Sequence, residues 1–406
     1  MMKESLRVSV ILPTFNRERY LADSITSILE QTKPPLEILV VDDGSTDRTP
    51  EICSQFAALI TYIRQDNAGK LTAIATGLDK AGGDLVWIMD DDDIAAPDAL
   101  ERLTEPFARN PELVLTYGKM TRFDEGALQS REEVVEYPED GRPFLVRLME
   151  DCFITGHPCV LVRRDALEQM RPFDSKVLAS VDYYLHLGVA IQGPVAFVDS
   201  VVLRQRQHPG LRGPRTLRYA EGDRNAKWIA HDAYLLKKLI SDLPQRAYLA
   251  PPPWSKRRLT AAEQRMALIQ KSVIAGRKKL WPDAIDSLDA ALDIMRDTPL
   301  RQDELNVLAG MLGCRYGISE VHEAPDILHE LYTASVERDD RTRILTALSR
   351  PLLHEIKIAW RQLDATRAAQ AVRSWFRLMD VHATWCAFQS AVGRNLGRMA
   401  TRSRAS

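Results

Sequence analysis

At roughly 150 residues per domain, a chain of 406 residues suits two unequal domains and is too long for a peptide hormone or a disulfide miniprotein. Hydrophobic residues at 45% and charged residues at 27% match a folded globular protein with enough apolar side chain for a sizeable core. The formal net charge of −2 is too small to steer the molecule onto a polyanion, which argues against a nucleic-acid partner. Cys53, Cys152, Cys159, Cys314 and Cys386 are odd in number, scattered and without C-x-x-C spacing. Neither a disulfide framework nor a zinc knuckle is expected, and a reducing cytoplasm suits them.

The first residues pass from a short polar lead straight into an alternating strand pattern, so they do not read as a signal peptide. No apolar run approaches the roughly 18 residues that span a bilayer, which leaves only attachment to a membrane surface open. Short β-branched runs predict strands over 7–12, 37–41, 59–63 and 84–89. Between them Leu21, Ile25 and Ile28 share one helical face, as do Leu71, Ile74 and Leu78. Strand–helix–strand connections of this length build a parallel sheet with helices on both faces, and ligands bind beyond the carboxyl ends of such strands. Mixed strand and turn signals continue from about 113 to 215 and complete an α/β domain over 1–215. From about 216 the composition turns to Ala, Leu, Arg and Gln at helical spacing, broken by Pro251-Pro252-Pro253, and predicts an all-helical domain over 216–406.

Function should therefore sit where strands stop. Polar clusters follow three of them: Pro13 to Arg17, Asp42 to Asp47, and Asp90-Asp91-Asp92-Asp93. Four adjacent carboxylates repel and raise one another's pKa values, a strain that a cation relieves. Carboxylates at alternating positions, such as Asp90 and Asp92, suit Mg²⁺ or Mn²⁺ that also takes phosphate oxygens from a nucleotide diphosphate. The alternative is a solvated acidic turn that caps the next helix at Asp93 or Pro97-Asp98. Asp42-Asp43-Gly44-Ser45 reads either as a tight turn or as a carboxylate site for a ribose hydroxyl or a base N–H.

The run VSVILPTFNRERYLADSITSILEQTKPPLEILVVDDGSTD resembles the amino-terminal signature of family 2 glycosyltransferases. The likeness continues through Asn67-Ala68-Gly69-Lys70, GGDLVWIMDDDDIAAPDAL, CFITGHPCVLVRRDALEQMRPFD and VDYYLHLGVAIQG to VLRQRQHPG, over about 5–215. It implies a GT-A fold, inverting transfer from a nucleotide-sugar donor, with uridine-diphosphate sugars foremost, and a glycan, lipid-linked or protein acceptor. Carried onto this chain, it puts Thr14, Asn16 and Asp43 on the nucleoside, with Pro13 and Asp42 beside them. Asp90 and Asp91 then lie on the donor, with Asp92 on the D-x-D metal motif and Mn²⁺ or Mg²⁺ as cofactor. Asp182 matches the late carboxylate of the family and is the candidate base, a helix N-cap being its structural alternative. Lys70 resembles an N-x-G-K variant near the donor, or is a solvated first-turn lysine. His208, in the basic closing segment 204–208, could ligate the metal or sit in a surface turn. His157 borders the expected acceptor side or is a structural histidine. Val181 stands where the family often has glutamate, and Ile74-Ala75 replaces a frequent Arg-Asn pair. These departures motivate a rival reading, a non-catalytic nucleotide-sugar sensor or scaffold.

The helical half says less. Residues 276–292 faintly resemble one tetratricopeptide helix pair. Residues 341–406 hold twelve basic and three acidic side chains. With Trp360, Trp375, Phe376 and Trp385 on amphipathic helices, they could meet an anionic membrane surface at its inner face, or simply form a solvated or packed basic face.

Overall fold

Seven consecutive buried residues, Val8 to Thr14, form β1 in the computed structural model, a strand covered on both faces. The structure describes residues 6–124, 132–137, 140–207, 224–314, 318–335 and 337–379. Internal contacts define two compact units, one of Met1–Leu148, Cys152–Asp232 and Pro251–Trp254, the other of Met149–Asp151, Ala233–Ala250 and Ser255–Ser406.

In the first unit β1 is followed by α1 (Leu21–Leu29), β2 (Glu37–Asp42), α2 (Thr49–Gln55), β3 (Thr61–Arg64), α3 (Lys70–Leu78), β4 (Leu85–Ile88), β5 (Ile94–Ala95) and α4 (Ala99–Arg109). Then come β6 (Leu115–Asp124), β7 (Glu133–Val135), α5 (Phe144–Glu150), β8 (Val160–Arg163), α6 (Arg164–Glu168), α7 (Val181–Ala190), β9 (Val195–Gln207) and α8 (Arg224–Asp242). The sheet runs β3-β2-β1-β4-β8-β6-β9-β5, with β7 on β6. The first four strands are parallel, β8 is antiparallel to both β4 and β6, and β6 and β9 are again parallel. Leu21, Ile25 and Ile28 of α1 and Leu71, Ile74 and Leu78 of α3 are all buried, as their spacing predicts. The third strand starts later than expected, because Leu59 is 60% exposed in the turn before it. It runs on to Arg64, whose guanidinium reaches Asp42.

Register is what builds a site. Thr14 pairs with Asp42 and Ile11 with Ile88, so β1, β2 and β4 end on one edge and their three polar clusters emerge side by side. The short β5 pairs antiparallel with β9, Ile94 opposite Arg204, which draws the last residues of β9 to the same edge.

Among its described residues the second unit is helical without a strand: α9 (Ala261–Arg277), α10 (Trp281–Asp293), α11 (Gln302–Leu308), α12 (Ser319–Glu323), α13 (Pro325–Ser335), α14 (Arg341–Leu348), α15 (Arg350–Arg361) and α16 (Ala365–Leu378). Thr260 and Glu263 close a capping box at the start of α9. Arg265 of α9 and Glu304 of α11, both fully buried, form a two-pronged ion pair with both bonds at 2.9 Å.

Helix α3 lies on β1 through Gly77, where a Cβ would stand 2.5 Å from Ile11 Cγ2. Gly77→Ala is therefore expected to lose about 1–3 kcal/mol to overpacking, less about 1 kcal/mol of helix propensity. A lower denaturant midpoint checks this; a wild-type midpoint would mean that the groove has room.

Candidate active site

The loop after β1 is pinned to the turn after β2. Asn16 adopts a left-handed backbone (φ 53), its N–H donates to Ser45 Oγ at 2.9 Å, and its Oδ1 accepts from Thr46 N at 2.7 Å. The two aspartates that end β2 then diverge, because successive side chains of a strand face opposite ways. Asp42 is fully buried and accepts from Ser45 N at 2.7 Å, Tyr62 Oη at 2.6 Å and Arg64 Nη1 at 2.8 Å. Asp43 turns the other way. Its Oδ1 accepts from Gln65 Nε2 and Ala68 N, both at 2.8 Å, and its Oδ2 from Gly69 N at 2.8 Å and Asn67 Nδ2 at 3.1 Å. Those donors take up the roughly four acceptor positions of a carboxylate, so Asp43 shapes the 65–69 loop that leads into α3.

The turn after β4 gathers its partners from three elements. Asp90 Oδ1 meets Lys70 Nζ, on the first turn of α3, at 2.5 Å. Asp91 accepts from Phe15 N at 3.3 Å and Arg17 Nε at 3.2 Å, and Arg17 Nη2 lies 3.7 Å from Asp92 Oδ2. Asp93 also lines the site and accepts the Arg206 N–H of β9 at 2.9 Å, while Arg206 Nε donates to the Asp92 carbonyl at 3.0 Å. Burial pushes the Asp91 carboxyl up to about 6, Asp92 and Asp90 push the same way, and Arg17 opposes them. Burial also works against the Arg17 charge, yet Asp91 and Asp92 more than offset it and hold its pKa above the ordinary arginine value.

Asp182 stands in the first turn of α7, behind a left-handed Ser180 (φ 52) that occupies the N-cap position. Ser180 Oγ donates to Asp232 Oδ1 of α8 at 3.2 Å. Asp182 Oδ2 accepts the Gly156 N–H at 3.1 Å, and a Cβ on Gly156 (φ 129) would stand 3.8 Å from Asp90 Oδ2. Asp182 and the acidic turn thus share one stretch of backbone. Burial raises the Asp182 pKa above the usual carboxylate value, Lys70 opposes that, and Asp90 and Asp232 add to it.

One cavity of about 490 Å³ collects these groups: Pro13, Thr14, Asn16, Asp43, Lys70, Asp90, Asp91, Asp92 and Asp182 all line it. Asp42 does not, its carboxylate being spent on β3 and the following turn. His208 lies outside the described residues. His157 is buried against His186 with ring centroids 5.5 Å apart, and burial holds both imidazoles below their ordinary pKa. Neither ring lines the cavity. Arg17, Gly156, Gln205 and Trp228 also line it and were not singled out from sequence. Arg17 carried a usable signal, a cation just beyond the end of β1 in a chain whose next strands end in aspartates. Trp228, on α8 beyond residue 215, carried none.

The carboxylates offer only hard oxygen ligands, which suits Mg²⁺ or Mn²⁺. Among the described residues, however, no group of three or more His, Cys, Asp or Glu is arranged to hold an ion. The turn fits a cation that brings phosphate oxygens with it, a mode usual for Mg²⁺, and it is not a preformed protein cage.

Residues 9–171 match the model of glycosyl transferase family 2. Over those residues the chain is similar to that family. Its α/β sheet followed by a helical region agrees with the GT-A fold class. The glycosyltransferase GlyA of Streptococcus pneumoniae is 43% identical over 100 residues, which are 24% of this chain and 14% of that protein. Chondroitin synthase of Escherichia coli is 28% identical over 205 residues, 50% of this chain and 29% of that protein. This chain thus spans less than a third of the length of either relative. The solved mannosyltransferase PcManGT of Pyrobaculum calidifontis, in complex with GDP-Man and Mn²⁺, aligns with a TM-score of 0.49 at 19% identity, over 86% of this chain and 88% of that one.

Asp43→Asn turns one of two acceptor oxygens into a donor that faces the N–H of either Ala68 or Gly69. A loss of about 1–3 kcal/mol is expected from the unsatisfied groups, with faster amide exchange at residues 68 and 69. Unchanged exchange there would show that the loop holds its shape without Asp43.

Proposed function

We propose that the first unit is an inverting glycosyltransferase that moves a sugar from a nucleotide-diphosphate donor to an acceptor hydroxyl, with Asp182 as general base. One observation carries this reading: Asp182 and the acidic turn of Asp90 to Asp92 flank Gly156 within a single cavity. A donor laid along the strand ends meets Pro13, Thr14, Asn16 and Asp43 on its nucleoside side, and Arg17 and Lys70 are placed to neutralise its phosphates. Asp92, with Asp90 and Asp91 beside it, would hold Mn²⁺ or Mg²⁺. When bound, that ion offsets the charge that develops on the leaving diphosphate. Asp182 accepts the acceptor hydroxyl's proton as that oxygen bonds to the anomeric carbon, and the carbon–oxygen bond to the diphosphate breaks on the opposite face. The raised Asp182 pKa makes it a better proton acceptor than an exposed aspartate. The resemblance to family 2 supports a uridine-diphosphate sugar donor and a glycan, lipid-linked or protein acceptor.

Incubation with Mn²⁺ and a panel of nucleotide sugars is expected to release nucleotide diphosphate by slow donor hydrolysis, and Asp182→Asn to lower turnover by about 10²-fold or more with nucleotide binding kept. Tight binding without release, with candidate acceptors present, would replace the transferase by a nucleotide-sugar sensor. Near-normal turnover in the variant would remove Asp182 from the mechanism.

For the helical unit, we read α15 and α16 as a surface for anionic lipid. Among the described residues no helix is long and apolar enough to cross a membrane. Trp360 (77% exposed) and Phe376 on these helices and Leu363 in the turn between them are exposed, as are Arg350, Lys357, Arg361, Arg373 and Arg377, a mix that suits a headgroup layer. The intact chain is expected to sediment with vesicles containing phosphatidylglycerol and not with neutral ones, and Trp360→Ala with Phe376→Ala to weaken this. Absence of sedimentation with either vesicle would end that reading.

A further inference from the structure

The acidic turn is not bare. Lys70 Nζ lies 2.5 Å from Asp90 Oδ1, and Arg17 spans Asp91 at 3.2 Å and Asp92 at 3.7 Å. Two cations thus stand against three carboxylates at the position where a divalent ion would have to enter. They are held differently. Arg17 is fixed between two carboxylates, and its own N–H donates to Thr49 Oγ1 at 3.0 Å. Lys70 has one partner among the described hydrogen bonds and ion pairs, and its side chain is 39% exposed. Its ammonium is a compact charge on a flexible four-carbon stem, able to swing from a carboxylate to a phosphate oxygen without moving the backbone of α3.

We propose that Lys70 is a built-in counter-ion that excludes free divalent metal from Asp90, so that the metal enters together with the donor diphosphate, whose oxygens draw the ammonium away. This rests on the reading that the turn meets a metal-bound diphosphate. Even with the full screening of water, a unit positive charge about 5 Å from a divalent ion lowers its affinity roughly tenfold. The diphosphate removes that penalty twice over, by supplying oxygen ligands to the ion and a new partner to Lys70. By linkage, metal and nucleotide must then tighten each other's binding by the same factor.

Binding of Mn²⁺ alone, followed by the electron paramagnetic resonance of the free ion, tests this without any turnover. It is measured for the full chain with and without UDP, in the wild type, Lys70→Met, Lys70→Gln and Lys70→Arg. Without UDP, Lys70→Met and Lys70→Gln are expected to bind Mn²⁺ at least about tenfold more tightly than wild type, and Lys70→Arg to stay near it. UDP should tighten Mn²⁺ binding in the wild type and do so less in the two neutral variants. Equal, weaker or undetectable Mn²⁺ binding in both neutral variants overturns the proposal. Failure of the underlying reading looks different. Neutral variants that bind Mn²⁺ more tightly while UDP changes nothing would uphold the counter-ion and remove the nucleotide-diphosphate donor. UDP tightening in the wild type with neutral variants unchanged would do the reverse.

Discussion

Like charge is concentrated at one point of this molecule. Asp90, Asp91 and Asp92 follow one another at the end of a buried parallel strand, and the surrounding elements are arranged to make that tolerable. Arg17 comes from the loop after β1, Lys70 from the first turn of α3, and the Asp90 carbonyl accepts from Ser24 Oγ of α1 at 3.0 Å. The backbone of β9 meets the turn through Arg206. Compensation remains partial, since Asp91 keeps a pKa near 6 despite its guanidinium partner.

The same economy of acceptors explains why neighbouring aspartates differ in use. Asp42 has both carboxylate oxygens committed inside the fold, at the β2–β3 edge, and Asp93 Oδ1 accepts from the backbone of β9. Asp43 lines the cavity but uses its carboxylate to hold the 65–69 loop, and through it the start of α3 where Lys70 stands. Asp182 accepts backbone N–H groups from Gly156 and Tyr183. It sits behind a left-handed Ser180, a conformation that costs an L-residue roughly 1–2 kcal/mol and is held by the bond to buried Asp232. Strain beside a carboxylate in a cavity is a common mark of a working site.

In the helical unit the buried charge has a different character. Arg265 and Glu304 pair through two bonds, Arg265 also donates to the Thr298 carbonyl at 2.9 Å, and Glu304 Oε2 accepts the Arg301 N–H at 2.7 Å. Such a pair is weak evidence for stability, and nothing about it invites a ligand. The contrast with the acidic turn is one of place: this pair lies inside the fold, whereas Asp90, Asp91 and Asp92 line the cavity.

The amino-acid sequence by itself determined the strand and helix periods, the parallel order at the start of the sheet, and hence that the aspartate clusters and Thr14 would share an edge. Those are local or period-based properties, and a strand's carboxyl end is legible wherever its apolar run stops. The likeness to a family added Asp182. Only the tertiary structure decided that Asp42 serves the fold while Asp43 shapes a loop, that Arg17 and Lys70 already occupy the acidic turn, and that Gly156 joins Asp90 to Asp182. It also brought Trp228 to the cavity wall. These outcomes depend on pairings between residues 20 to more than 70 positions apart, such as Lys70 with Asp90 and Arg17 with Asp91. Such distances are set by sheet register and helix packing, which no local pattern encodes.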